Sequence, residues 1–218
     1  MSEVSWSINT PAEFICTDNY YLIRGKKYAR VTRINSIIDK PELRNWYAKT
    51  GPEKSKEILK KRAGFGSTLH KLIEVTLKGE KISSDNYDSF LMESMTIFND
   101  WTKSHSVIPH ALEQHLWSEK YKYAGTADYV GLFDGDLYIL DWKTSKGIYD
   151  EYWLQISAYV NAFEELTGLR VKGAGILQIR DGKFDFIKKS YEELMLNYFP
   201  VFLAAQTIYN WKYKGDSQ

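Results

Sequence analysis

Gly125-Thr126-Ala127-Asp128, followed by Leu137-Tyr138-Ile139-Leu140-Asp141-Trp142-Lys143-Thr144-Ser145, is the stretch whose reading decides the fold. Two β-like runs, Tyr123–Phe133 and Leu137–Trp142, flank the turn Asp134-Gly135-Asp136, a strong hairpin signal. Ile139 and Leu140 precede Asp141, so the second strand is expected to be buried on both faces. A carboxylate at the end of such a strand is costly to desolvate unless a cation neutralises it. Period-two geometry puts Asp141 and Lys143 on one face. One strand then presents an acid beside a base, opposite Asp128 on its neighbour.

Working outward, alternation around Tyr20, Leu22, Tyr28 and Arg30, with Arg24-Gly25-Lys26 between, predicts a small hairpin. Pro41 after Asp39 marks a helix start, followed by Leu43, Trp46 and Tyr47. From Lys54 to Leu77, Ile58, Leu59, Leu69, Leu72, Ile73 and Leu77 recur at helical spacing; Gly64 and Gly66 predict a break, or two helices meeting. A further helix is expected over Tyr87 to Lys103. Beyond Val107 a first strand is expected over Ala111–Ser118, ahead of the hairpin. Helical spacing returns from Tyr152 to Leu166 and ends near Gly168. Strands over Val171–Ile179 and Phe184–Lys188 are joined by Asp181-Gly182, and a last helix covers Tyr191 to Lys212. The order describes an α/β fold: a small central mixed sheet flanked by helices, with an N-terminal helical extension. Residues 1–65 are expected to form that extension, packed on a core of residues 66–218.

Composition narrows the function classes. The chain has 218 residues, 44% hydrophobic and 26% charged, ordinary values for a globular domain. No apolar run approaches the roughly 20 residues of a membrane-spanning helix. The polar N-terminus (Met1 to Thr10) lacks a signal peptide's apolar core, so a cytoplasmic protein with no membrane association is expected. Cys16 is the only cysteine, which excludes an internal disulfide, a Cys-based zinc ribbon and an iron–sulfur cluster held by one chain. A formal net charge of +1 gives no global pull toward polyanions, so a nucleic-acid site would be a local basic groove. There is no zinc-finger spacing, no basic region with heptads, and no phosphate-binding G-x-x-x-x-G-K-[ST] loop.

Two carboxylates plus a backbone carbonyl are hard oxygen ligands suited to Mg2+ or Mn2+. A cation so held polarises a phosphate and acidifies water, and an adjacent lysine can stabilise developing charge. That is the chemistry of phosphodiester hydrolysis. Taken alone, Asp141 and Lys143 read equally well as charged residues ending a hairpin strand.

The wider pattern resembles the RecB-like branch of the PD-(D/E)XK nuclease superfamily, and is similar to stand-alone exonucleases of phage and mitochondrial-genome-maintenance type. Gly66-Ser67-Thr68-Leu69-His70-Lys71-Leu72-Ile73-Glu74 resembles that family's G-T-x-x-H-x-x-x-E helix, with Ser67 where many relatives carry another small residue. Glu113 stands at its acidic position ahead of the hairpin. Gly125–Asp128 resembles G-T-x-D, Asp141–Ser145 resembles D-x-K-T-S, and Gln155-Ile156-Ser157-Ala158-Tyr159 resembles Q-x-x-x-Y.

The resemblance implies a restriction-endonuclease-like core and a metal-dependent DNA exonuclease in replication, recombination or repair, phage-encoded in some relatives. It implies metal binding by Asp128, Asp141, the Trp142 carbonyl and His70, whose imidazole favours Mn2+. It makes Lys143 the catalytic lysine, with Gln155 and Tyr159 positioning either Lys143 or a substrate phosphate. Glu74 is either an acceptor holding the His70 ring or a solvated residue. Glu113 either reaches a second metal or forms a structural ion pair. Lys54, Lys56, Lys60, Lys61 and Arg62 either grip a DNA backbone, with Thr144 and Ser145 nearer the site, or form a solvated helix face. Trp46 and Tyr47 either wall a single strand or complete the core. DNA with free ends, single strands above all, is the expected partner. A structure-selective endonuclease and a non-catalytic DNA-binding module are the alternatives.

Overall fold

Three tight turns of one design punctuate the sheet. Arg24-Gly25, Asp134-Gly135 and Asp181-Gly182 all take positive φ at both residues, at 50° and 74°, 51° and 91°, and 50° and 76°. Paired positive φ matches the right-handed twist of the strands the turn joins, and glycine adopts it without strain. These are the hairpins that the sequence predicts.

The computed structural model describes residues 6–213; the first five residues of the polar N-terminal stretch lie outside it. The strands are β1 (Phe14–Cys16), β2 (Tyr20–Ile23), β3 (Lys26–Arg30), β4 (Val107–Ser118), β5 (Tyr123–Phe133), β6 (Asp136–Lys143), β7 (Gly173–Arg180) and β8 (Lys183–Ser190). The helices are α1 (Val31–Asn35), α2 (Pro41–Thr50), α3 (Pro52–Leu77), α4 (Ser89–Lys103), α5 (Asp150–Thr167), the short α6 (Tyr191–Glu193) and α7 (Phe199–Lys212). All strands belong to one mixed sheet in the order β1-β2-β3-β5-β6-β7-β8, with β4 on β5. β3 with β5 and β6 with β7 are parallel, and the latter pair needs the crossover helix α5. Among the described residues, no helix is long and apolar enough to cross a membrane.

The sheet is covered on both faces. Ile139, Val130, Ala174 and Ile176 pack with α5 and α7. Tyr129, Leu140, Trp142 and Leu177 pack with α3 and α4 through Leu69, Ile73, Phe98 and Trp101. Ile139 and Leu140 therefore face opposite cores, which makes β6 a doubly buried strand.

One feature of the topology creates the site. β4 runs along one edge of β5 from Ser118↔Tyr123 to Val107↔Phe133. The other edge is divided: β3 pairs only with Tyr123 and Ala124, and β6 only with Tyr129 to Phe133. Gly125 to Asp128 are left without a strand partner on that side, at the mouth of a fork.

Several expectations need correction. Gly64 and Gly66 do not break the helix; α3 is continuous over 26 residues. A helical glycine costs only about 1 kcal/mol, and Gly66 has a packing reason, since a Cβ there would meet Thr144 Oγ1 at 3.3 Å. The last helix is not uniform: α6 gives way to a π-helical turn at Leu194–Tyr198 before α7. Pro200, in the first turn of α7, has no N–H to continue an α-helical ladder. β4 begins at Val107, earlier than expected, because a register shift between Pro109 and Ala111 absorbs the proline. β1 and α1 carry too few patterned residues to be foreseen. Position 65/66 lies within α3, and β1–β3 share the sheet with the rest of the chain.

The continuity of α3 has a measurable consequence. A Cβ at Gly64 meets nothing within 4 Å, so Gly64→Ala should stabilise the protein by about 0.5–1 kcal/mol in urea denaturation. A loss of stability would show that the helix is interrupted there.

Candidate functional site

The register brings three acids into one row. On β4 and β5, Leu112 pairs with Tyr129 and Gln114 with Ala127, which sets Glu113 opposite Asp128. On β5 and β6 the last pair is Tyr129↔Leu140, so Asp128 and Asp141 come next, opposite each other as the ladder opens. Side-chain alternation breaks here. Ala127 packs in the α5 core and Tyr129 in the α3–α4 core, although two residues of the same parity should share a face. Glu113, across from the break, has φ of +49°, an uncommon conformation for a non-glycine residue.

His70 reaches this row from α3, its Nδ1 3.4 Å from Asp128 Oδ1. The Trp142 N–H donates to Asp128 Oδ2 at 2.8 Å. Asp141 Oδ2 lies 2.5 Å from Lys143 Nζ, an ion pair whose angles are not those of a hydrogen bond. Asp141 Oδ1 accepts from Gln155 Nε2 at 3.3 Å, and the same amide donates to the Tyr159 hydroxyl at 3.2 Å. Lys143 Nζ also lies 4.9 Å from the ring centre of Tyr152. Gly125 explains itself in this setting, because a Cβ there would come within 2.5 Å of the Tyr159 ring.

The electrostatics follow from burial. Asp128 and Asp141 are 9% and 3% exposed. Burial and the facing charge of Asp128 overcome the pull of Lys143 and push Asp141 up to about 6. Burial would raise Asp128 too, but His70, Lys143 and the Trp142 N–H outweigh it and hold it below the ordinary range. Burial disfavours charge on His70, yet Asp128 and Asp141 prevail and raise it to about 9. Lys143 is raised because Asp141 and Asp128 exceed its burial cost. Glu113, open to solvent on one side, is raised to about 7 by protein shielding and by Asp128. Asp141 and Glu113 are pushed up while Asp128 is held down, as expected where three acids face only two cations, His70 and Lys143.

A divalent cation fits that deficit. The ligand atoms of His70, Glu113 and Asp128 all lie within 4.8 Å of one another. Carboxylate oxygens suit Mg2+ or Mn2+, and an imidazole among them favours Mn2+. Glu113 thus joins the cluster rather than forming a structural ion pair. Asp141 faces the cluster in register with its oxygens turned to Lys143 and Gln155. Trp142 enters through its N–H; in an extended strand its carbonyl lies along the same edge, toward Asp128.

Other expected residues are placed differently. Glu74 does not hold the His70 ring, since its carboxylate accepts from Lys71 at 2.9 Å and Lys78 at 2.6 Å. Gln155 reaches Asp141, not Lys143. The Ser145 hydroxyl donates to the Gly147 carbonyl. Lys54, Lys56, Lys60, Lys61 and Arg62 lie on the exposed half of α3, with Lys61 paired to Glu57 at 2.9 Å. Trp46 and Tyr47 do not complete the core, as α2 buries no residue; Arg62 lies 6.0 Å from the ring centre of Trp46.

Two residues were missed by sequence reading. Arg30, at the end of β3, lines a cavity of about 210 Å3 in the fork with Glu113, Thr126, Asp128 and Gln155. Only the long-range β3–β5 pairing brings it there. Tyr152 carried a signal, being three residues before Gln155 on the same helical face.

None of the protein-family models matches this chain, and no curated protein matches it. The crystal structure of SSO0001 aligns over 85% of this chain and 80% of its own, at 14% identity and a TM-score of 0.46. At that level, no residue role carries over from it.

The fit to a cation is checked by stability rather than activity. Mn2+ at a hundred times its Kd should add about 2.7 kcal/mol, raising Tm by roughly 5–10 °C for a domain of this size. Asp128→Asn should abolish the Mn2+-dependent increment, whatever it does to the metal-free Tm. An undiminished increment would place the ion elsewhere.

Proposed function

We propose that this chain is a divalent-metal-dependent deoxyribonuclease that hydrolyses phosphodiester bonds from DNA ends. The observation that carries the reading is the convergence of His70, Asp128, Asp141, Lys143 and Gln155, from α3, β5, β6 and α5, on one buried cluster. A structural charge cluster would be expected to neutralise itself, whereas this one sets three carboxyl groups against two cations, His70 and Lys143, with Asp141 and Glu113 pushed up. Such tuning by burial and like charge is characteristic of functional sites.

His70, Glu113 and Asp128 would hold the ion, with Asp141 and the Trp142 carbonyl beside it. When bound, Mg2+ or Mn2+ supplies Lewis acidity toward the phosphate and lowers the pKa of water. The chain's own residues do the remainder. Lys143 directs its ammonium across Asp141 to the cluster and stabilises charge building on the phosphate. Gln155, braced by Tyr159, fixes the Asp141 carboxylate. Arg30, lining the same cavity, offers a guanidinium to a phosphate. The ordered motifs resembling RecB-like nucleases support DNA as substrate.

End-labelled linear single-stranded DNA should be degraded with Mg2+ or Mn2+ and spared with EDTA. Lys143→Ala should slow cleavage about 100- to 1,000-fold, in line with loss of a charge-stabilising group. Undiminished cleavage by that variant would overturn the site assignment. A circular single strand should survive where its linear form is consumed, and opening of the circle would make the enzyme an endonuclease.

A further inference from the structure

A second, larger cavity of about 650 Å3 adjoins the fork, walled by α1, the segment after it, α2 and the start of α5. The two cavities share Thr32 and Gln155. The larger one touches the reactive cluster through two side chains: Gln155, which donates to Asp141, and Tyr152, whose ring takes Lys143. A strand cut at the cluster therefore has a neighbouring nucleotide at this opening.

The chemistry of the walls selects which part of that nucleotide enters. Ile37, Ile38, Leu43, Tyr47 and Tyr152 supply apolar and aromatic surface. The charged groups cancel: Lys40 pairs with Glu151 at 2.8 Å, and Arg44 with Asp39 at 3.0 Å. Two cations already committed to two carboxylates make a poor phosphate site. They leave a neutral recess suited to a planar, uncharged group. A polar handle is present as well. Asn35 lines the cavity at 8% exposure; its amide donates to the Glu151 carbonyl at 3.0 Å, while its Oδ1 has no partner. A buried acceptor left unpaired is costly, and a base edge presenting an N–H donor, such as the N3–H of thymine, satisfies one.

We infer that this recess is a nucleobase subsite, which takes one unpaired base of the DNA strand beside the scissile phosphate, with Tyr47 as its stacking residue. The inference rests on the nuclease reading for its neighbour and adds a substrate requirement to it. A base in the recess has left its stack and its pairing partner, so the strand at the site must be single. Tyr47 suits the role because it is 40% exposed on a helix that buries none of its residues. That same exposure makes it safe to replace.

The test uses the full chain with Ca2+ in place of Mg2+ or Mn2+, so that the acids carry a counter-ion and binding is read without rapid cleavage, by fluorescence anisotropy. The probes are an oligothymidylate of about a dozen nucleotides and an abasic oligomer of equal length. The wild-type protein should bind the thymidylate about tenfold more tightly than the abasic strand. Tyr47→Ala should erase that preference and Tyr47→Phe should keep it. Equal affinity of the wild type for the two strands, no binding of either, or a preference surviving in Tyr47→Ala would overturn the subsite. Cleavage with Mn2+ is scored separately: base preference without cleavage sinks the nuclease reading alone, and cleavage without base preference sinks the subsite alone.

Discussion

Asp128 and Asp141 stand in register on neighbouring strands, where directly opposed side chains have Cβ atoms about 5 Å apart. Both are nearly buried, so water screens their repulsion weakly. Much of the surrounding structure answers to this one repulsion. Lys143 neutralises one carboxylate, and His70 with the Trp142 N–H supports the other. Each compensating group comes from an element held by hydrophobic packing elsewhere. His70 is fixed because Leu69, Leu72 and Ile73 anchor α3, and Gln155 because Ile156 and Tyr159 anchor α5. The cores place the charges, and the charges do not have to hold the fold together.

The fork in β5 explains how a carboxylate can sit mid-strand in a buried sheet at all. Had β6 continued its pairing past Leu140, the ladder would close over Asp128 and leave no room beside it. Instead β3 and β6 share one edge of β5 and stop short of each other. Of the freed residues, Gly125, Thr126 and Asp128 line a cavity rather than a ladder. The irregular backbone at Glu113 lies directly across, so the disorder in side-chain alternation is concentrated where acids converge. Local strain of this kind is retained where neighbouring structure over-determines it.

Local signals were legible in the sequence and long-range ones were not. The X-Gly turns and the run of Ile139 and Leu140 read directly into hairpins and a doubly buried strand, because turn chemistry and periodicity are properties of a few adjacent residues. Lys143 beside Asp141 could be read for the same reason. The partnership of Glu113 with Asp128 depends on register between separate strands, and Arg30 on a parallel pairing across more than ninety residues, so neither left a local trace. Gly64 and Gly66 misled because a helix-breaking tendency of about 1 kcal/mol is small against the packing that carries α3 forward. Glu74 could not be judged from spacing alone: it lies one turn from His70, but Lys71 and Lys78 claim its carboxylate from the same helix.

A row of acids repels the phosphates that the proposed substrate carries, and a net charge of +1 does little to draw a polyanion in. The positive charge near the site is uneven in kind. Lys143 and His70 are occupied by Asp141 and Asp128, while Lys40 and Arg44 are occupied at the rim of the larger cavity. Arg30 differs, donating to the Thr17 carbonyl and lying 5.5 Å from the ring centre of Tyr21 while it lines the acidic cavity. Its charge is directed by a neutral carbonyl and an aromatic face, neither of which cancels it. On the nuclease reading, phosphate is then met first by Arg30 and by the exposed lysines of α3. The acids become attractive only when a divalent ion reverses their sign. Substrate affinity and metal binding are coupled in such a site, because the same ion that relieves the Asp128–Asp141 repulsion turns the row from an obstacle to phosphate into its seat.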